Sequence, residues 1–291
     1  MTSGLQDPTA QRPRPRKRFG QHFLEPAWVD KVVRAIAPGP DDRFVEIGPG
    51  AGALTSPLAA LVQHLVAIEV DRDLVAHLLG RGLPNVTVVS GAVLDVSPAD
   101  ILRAFGPMPP EARLRVAGNL PYNIGAPILF KLIALYELGL PVHDATVMLQ
   151  IEVVDRIVAR PGTHDYGLLS VLLGHVAGVE RLLVLPPGAF RPAPKVTSAV
   201  LRLRFHPPDP PARHLEAMRS LVRTLFTRRR KTVLNGLLAV PGVSRQVAVQ
   251  ALHSAGVDPV RRPETLDVAE FVALSNGLEA TQASTVPFPS R

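Results

Sequence analysis

Hydrophobic positions along the chain fall into short unbroken runs separated by stretches of helical period. Apolar runs at Phe44–Ile47, Leu65–Val70, Val86–Val89, Leu114–Ala117 and Ala145–Gln150 have the length and continuity of strands buried within a parallel sheet. Between them, apolar residues recur at helical spacing, as in Trp28, Val32, Val33 and Ile36, in Leu58 and Leu61, and across residues 127–138. Strand alternating with helix predicts an α/β domain with a mostly parallel sheet. Residues 150–159 and 166–177 read as two more helices. Arg181–Leu185 and Ser198–Phe205 then read as an antiparallel edge pair that brings the sheet to seven strands. Pro207-Pro-Asp-Pro-Pro211 has linker composition, and helical patterns follow near 213–226, 231–238, 245–255 and 267–274, which predicts a small helical domain. The domain layout is therefore a disordered arm at 1–17, an α/β domain at 18–206, a linker at 207–212, a helical domain at 213–276 and a disordered tail at 277–291.

The strand ends carry the candidate chemistry. After the first strand, Gly48, Gly50 and Gly52 form a turn through which a backbone can approach a ligand closely, and the next helix offers its free N–H groups there. The run Gly48-x-Gly50-x-x-Ala53 satisfies the loose dinucleotide pattern, so the turn specifies a nucleotide-like ligand without choosing one. Glu69 ends the second strand about twenty residues later, a position suited to bidentate bonding of ribose hydroxyls. Asp71 and Asp73 fit helix capping instead. Asn119-Leu-Pro-Tyr122 ends the fourth strand with an amide, a rigid turn and a ring. An amide oxygen can accept from an exocyclic amine and a ring can stack on a flipped-out base, although Asn and Pro are also ordinary turn residues. In an open parallel sheet ligands bind beyond the carboxyl ends of the strands, so Gly48, Glu69 and Asn119 are expected to converge. Further on, a loop stiffened by four prolines, 186–196, presents Phe190, which suits either the second face of a base sandwich or a hydrophobic plug.

Composition narrows the classes. At 291 residues and 46% hydrophobic, the chain can bury one large core and a smaller one. It has no cysteine, which removes disulfides, thiolate zinc sites and cysteine nucleophiles. With no apolar h-region and no run long enough to span a bilayer, the expected setting is soluble and cytoplasmic. A formal charge of +7 and a pI near 10.3 favour a polyanionic partner. Two basic clusters stand out: the arm with Arg12, Arg14, Arg16, Lys17 and Arg18, and the run Arg228-Arg229-Arg230-Lys231, a candidate phosphate contact at a helix junction.

Phe19-Gly-Gln-His-Phe-Leu24, Val45-Glu-Ile-Gly-Pro-Gly50, Ile68-Glu-Val-Asp71, Asn119-Leu-Pro-Tyr-Asn-Ile124 and Phe190-Arg-Pro-Ala-Pro-Lys-Val-Thr-Ser198 resemble, in order and spacing, the KsgA/RsmA family of small-subunit ribosomal RNA adenine dimethyltransferases. The resemblance spans residues 17–274 and implies a class I, Rossmann-like methyltransferase fold with a C-terminal helical domain that binds RNA. It implies S-adenosylmethionine rather than NAD as cofactor, S-adenosylhomocysteine as product, and no metal. The implied substrate is a pair of adjacent adenines near the 3′ end of 16S rRNA in the immature small subunit, met by a monomer with no membrane partner.

Carried over residue by residue, the resemblance implies that His22 and Leu24 close over the cofactor, with Gly48, Gly50 and Val70 beside it. Glu69 holds the ribose. Asn119, with a backbone carbonyl of Leu120 or Pro121, binds the target amine, and Tyr122 and Phe190 stack on the base. Two positions depart from the family pattern. His22 stands where Asn is common, and Ala92 stands where an Asp would bond the cofactor's adenine, with Asp95 as a possible substitute three residues on. No general base is expected, because the attacking nitrogen becomes acidic as it gains charge. The alternatives in view are a 23S rRNA adenine methyltransferase of the erythromycin-resistance type, an assembly factor with little turnover, and, more distantly, an NAD oxidoreductase.

Overall fold

The computed structural model describes residues 22–285. The basic arm and Phe19 lie outside the described residues. Seven strands form one sheet in the order β4-β3-β2-β5-β6-β9-β7. They are β2 (Arg43–Ile47), β3 (His64–Glu69), β4 (Val86–Ser90), β5 (Leu114–Asn119), β6 (Val142–Gln150), β7 (Ala177–Leu185) and β9 (Ser198–Phe205). The neighbours β4-β3, β3-β2, β2-β5 and β5-β6 all pair parallel. In β2 and β3 every residue after the first is buried, which is why their sequences read as apolar runs and not as alternation. The fold is the α/β class expected.

A short sheet that the periodicity did not announce pairs β1 (Phe23–Leu24) with β8 (Phe190–Arg191), antiparallel, with Leu24 opposite Phe190. Two residues per strand are too few to leave a pattern in the sequence. The pairing brings the N-terminal segment and the Pro-rich loop together.

The chain divides into two compact units. The first takes in residues up to Ile151 together with Arg181–Arg202. Its helices are α1 (Pro26–Ile36), α2 (Thr55–Ala59), α3 (Arg72–Gly80), α4 (Pro98–Phe105) and α5 (Gly125–Glu137). Ile36, Phe44, Leu58, Leu65, Phe190 and Val200 belong to its core. Arg115 on β5 anchors α1: it grips Asp144 of β6 through two nitrogens at 2.8 and 2.9 Å, bonds Asp42 at 2.6 Å, and donates to the Ile36 and Ala37 carbonyls that end α1.

The second unit takes in Glu152–Glu180 and the chain from Leu203 onward. Residues 152–180 thus group with the helical unit, whereas the sequence boundary at 207–212 placed them in the α/β domain. Its helices are α6 (Ile151–Val158), α7 (Leu168–Gly174), α8 (Leu215–Thr227), α9 (Val233–Leu237), α10 (Arg245–Ser254) and α11 (Val268–Thr285). The helix expected over 166–177 is shorter, since Ala177 already begins β7. The tail expected from 277 is instead helical as far as Thr285, with Leu278 and Thr281 buried. Gly277, where that tail was expected to begin, lies inside α11 where a Cβ would come within 3.3 Å of the Ala251 carbonyl on α10. Close helix approach, not helix termination, accounts for that glycine.

Candidate active site

The carboxyl ends of β2, β3, β4 and β5 open on a single cavity of about 300 Å³. The turns after those strands line it, together with His22, Phe23 and Leu24. Gly48, Gly50 and Gly52 all have positive φ, in the region that favours glycine. At Gly50 a Cβ would come within 3.1 Å of the Phe23 ring. Arg81, at the end of α3, donates to the Ala51 and Gly52 carbonyls at 3.1 and 3.2 Å and holds the turn from behind. The helix that follows, α2, has only five residues, so it contributes little dipole to the turn.

Glu69 is 5% exposed, and backbone N–H groups fix both its oxygens. Oε2 accepts from Gly50 at 3.0 Å, and Oε1 accepts from Val70 and Asp71 at 2.9 Å each. The glycine turn and the end of β3 are therefore one hydrogen-bonded unit, with Val70 on the cavity wall.

Glu46, within β2, is 1% exposed and also lines the cavity. Burial pushes its carboxyl up to about 7, helped by the neighbouring Glu69 charge and opposed by the Thr55 hydroxyl and Arg81. Its Oε2 has no hydrogen-bond partner. The sequence reading gave Glu46 no role, although one carboxylate inside an apolar strand was the available signal.

Asn119 ends β5, and its Nδ2 donates to the His22 carbonyl at 2.8 Å. That bond fixes the amide plane and leaves Oδ1 as an uncommitted acceptor on the cavity wall. The Pro121 carbonyl closes the following turn by accepting from Ile124 at 3.1 Å, while Leu120 is buried and donates to Met148 at 3.1 Å. Tyr122 stacks on His22, with ring centroids 5.3 Å apart and planes at 23°. The Tyr122 hydroxyl bonds Ser198 Oγ at 2.6 Å.

The ribosomal RNA adenine dimethylase family profile matches residues 13–279, most of the chain. The chain belongs to that family. It is 45% identical over 275 residues to the ribosomal RNA small subunit methyltransferase A of Acinetobacter baylyi, covering 93% of this chain and 94% of that protein. It is also 45% identical over 271 residues to the protein of the same name from Aromatoleum aromaticum, covering 92% and 95%. Among solved structures, a dimethyladenosine transferase from Plasmodium falciparum superposes with a TM-score of 0.70 at 24% identity, covering 87% of this chain and 96% of that one, a likeness of fold. A 23S rRNA methyltransferase, ErmE, superposes with a TM-score of 0.63 at 26% identity, covering 88% and 99%. As a family member the chain is an rRNA adenine dimethyltransferase.

Set against the positions that the resemblance marked, the cavity gathers His22, Leu24, Gly48, Gly50, Glu69, Val70, Ala92, Asn119, Leu120, Pro121 and Tyr122. Phe190, the other ring that the resemblance marked, is placed differently. It is 1% exposed, sits in the core opposite Leu24 and is not on the cavity wall, the position of the hydrophobic plug among its two readings. At the end of β4 the wall is Gly91, Ala92, Val93 and Leu94, with no carboxylate; Asp95 is exposed and outside it.

In the helical unit, Arg228, Arg230 and Lys231 are exposed, but Arg229 is not a free cation. It is paired with Glu264 and donates to the His164 carbonyl at 2.6 Å. Among the described residues no group of three or more acidic or histidine side chains is placed to hold a metal ion, and no helix is long and apolar enough to cross a membrane.

Proposed function

We propose that this enzyme transfers methyl groups from S-adenosylmethionine to N6 of two adjacent adenines near the 3′ end of 16S rRNA in the immature small subunit, acting as a cytoplasmic monomer. One observation carries the reading: the Asn119 amide lies on the same cavity wall as the glycine turn, Glu69 and Tyr122, with its orientation fixed by His22. The A. baylyi and A. aromaticum relatives bear small-subunit names, which favours 16S over 23S RNA.

The cavity suits the cofactor. The glycine turn leaves room where side chains would obstruct it, Glu69 presents a fixed carboxylate for ribose hydroxyls, and the unpartnered Glu46 Oε2 suits an ammonium. The bound sulfonium supplies an already activated methyl group, so the protein's task is alignment. Asn119 Oδ1 and the Leu120 carbonyl, the one not used to close the turn, accept the N6 hydrogens of an extruded adenine and favour a tetrahedral nitrogen. That preference for the transition-state geometry raises the rate. The Tyr122 ring supports the base, which must leave its stack to reach the cavity.

The test is Asn119→Ala, assayed on immature small subunits and on 23S RNA with mapping of dimethyladenosine. The expected result is a fall in kcat on the order of 100-fold, the value of one or two charge-assisted hydrogen bonds, with cofactor affinity within a few-fold of the parent. Equal loss of both would reassign Asn119 to cofactor binding, and product found only in 23S RNA would reassign the substrate.

A further inference from the structure

Both rings beside the Asn119 amide are tethered to one stretch of chain, the Pro-rich loop and the start of β9 that follows it. His22 Nδ1 donates to the Pro192 carbonyl at 2.7 Å, and the Tyr122 hydroxyl bonds Ser198 Oγ at 2.6 Å across 76 residues of sequence. The segment itself is held in place. Glu25 donates to the Ala189 carbonyl at 2.8 Å, Ile151 donates to the Thr197 carbonyl at 3.0 Å, and β8 pairs with β1. Ser198, the first residue of β9, is fully buried at 0% exposure, so its hydroxyl has no recourse to water.

We propose that Ser198 is a positioning residue for base recognition: its hydroxyl fixes the Tyr122 ring in the plane on which the target adenine stacks. This deepens the proposed function and rests on it. A phenyl ring on a turn has two side-chain torsions to lose when a base settles on it, and a ring already held at its far end loses less. A hydroxyl pair also has direction, which apolar packing lacks, so it sets the tilt of the ring as well as its location. Burial raises the Tyr122 phenol and the Ser198 bond offsets only part of that rise, as expected of a hydroxyl group engaged in the interior. The contact thereby links the end of β5, where the methyl acceptor is presented, to the start of β9.

Either end of the tether can be removed while the ring stays. Ser198→Ala, Tyr122→Phe and the double variant are compared with the parent in three measurements: kcat/KM for the RNA substrate, S-adenosylhomocysteine affinity by calorimetry, and melting temperature. Each single variant is expected to lose roughly tenfold in kcat/KM for RNA, with cofactor affinity within about twofold, and the double variant to be no worse than either single. A purely structural hydroxyl would instead lower the melting temperature and leave the RNA kinetics alone. An active parent matched by Ser198→Ala, or losses that multiply in the double variant, overturns the tether and leaves the proposed function standing. A parent that methylates neither small-subunit nor 23S RNA overturns both.

Discussion

Glu46 shows how one residue couples the fold to the cavity. Its carboxyl is raised from 4.5 to about 7, so it is neutral in the folded protein over a range where the unfolded chain is ionised. A raised acid contributes stability that is complete below about pH 4.5 and is lost as the pH climbs through about 7. The ligand-free protein should therefore lose on the order of 3 kcal/mol across that interval, and Glu46→Gln should flatten the fall. Melting temperature followed from pH 5 to 8 checks it, and parallel profiles for parent and variant would refute it. Asn119 and Glu69 were legible because each ends a strand next to a turn, where polar chemistry stands out from an apolar run. Glu46 was not, since a single carboxylate within a run does not reveal which neighbours leave it unpartnered. Phe190 was left between two readings because a ring in a stiff loop has no sequence signature for the side it faces, and here it faces the core.

At the scale of elements, Arg115 ties β5 to β6 and to the last carbonyls of α1, and α1 follows directly on the segment that carries His22. Arg202 on β9 adds a second donor to the Ile36 carbonyl at 3.1 Å. The Arg115 side chain is 12% exposed and that of Asp144 is 5% exposed, so removing the cation leaves a buried carboxylate without its bidentate partner. Arg115→Ala should destabilise the protein by about 3–5 kcal/mol in denaturant unfolding, and Arg115→Lys should recover only a minor part, since one ammonium cannot span both oxygens. A loss below about 1 kcal/mol would show that α1 is held by its apolar face alone. The strands themselves were legible as buried runs. The β1–β8 pair and the length of α11 were not, because two-residue pairing and helix–helix contact at Gly277 are tertiary events.

Across the whole molecule, a charge of +7 favours an RNA partner, but it is the placement of each cation that decides its use. Replacing Arg228, Arg230 and Lys231 by Gln should weaken RNA binding and lower the slope of log affinity against log salt by roughly 0.7–0.9 for each phosphate contact removed, without loss of stability. Arg229→Gln should do the reverse, lowering the melting temperature with little change in slope, because its guanidinium already bonds Glu264 and His164. A titration over salt concentration separates the two, and an unchanged slope in the triple variant would make the run a solvated face. The sequence by itself determined the strands, the glycine turn and the edge at which Gly48, Glu69 and Asn119 meet, because buried parallel strands and tight turns are local patterns that periodicity and residue type record. Only the tertiary structure decided which side chains face the cavity and which are spent on packing: Phe190 in the core, Arg229 on Glu264, and Tyr122 held by Ser198. The physical reason is that burial and hydrogen-bond partnership depend on residues far apart in the chain, 76 positions in the last case, and no local pattern encodes them.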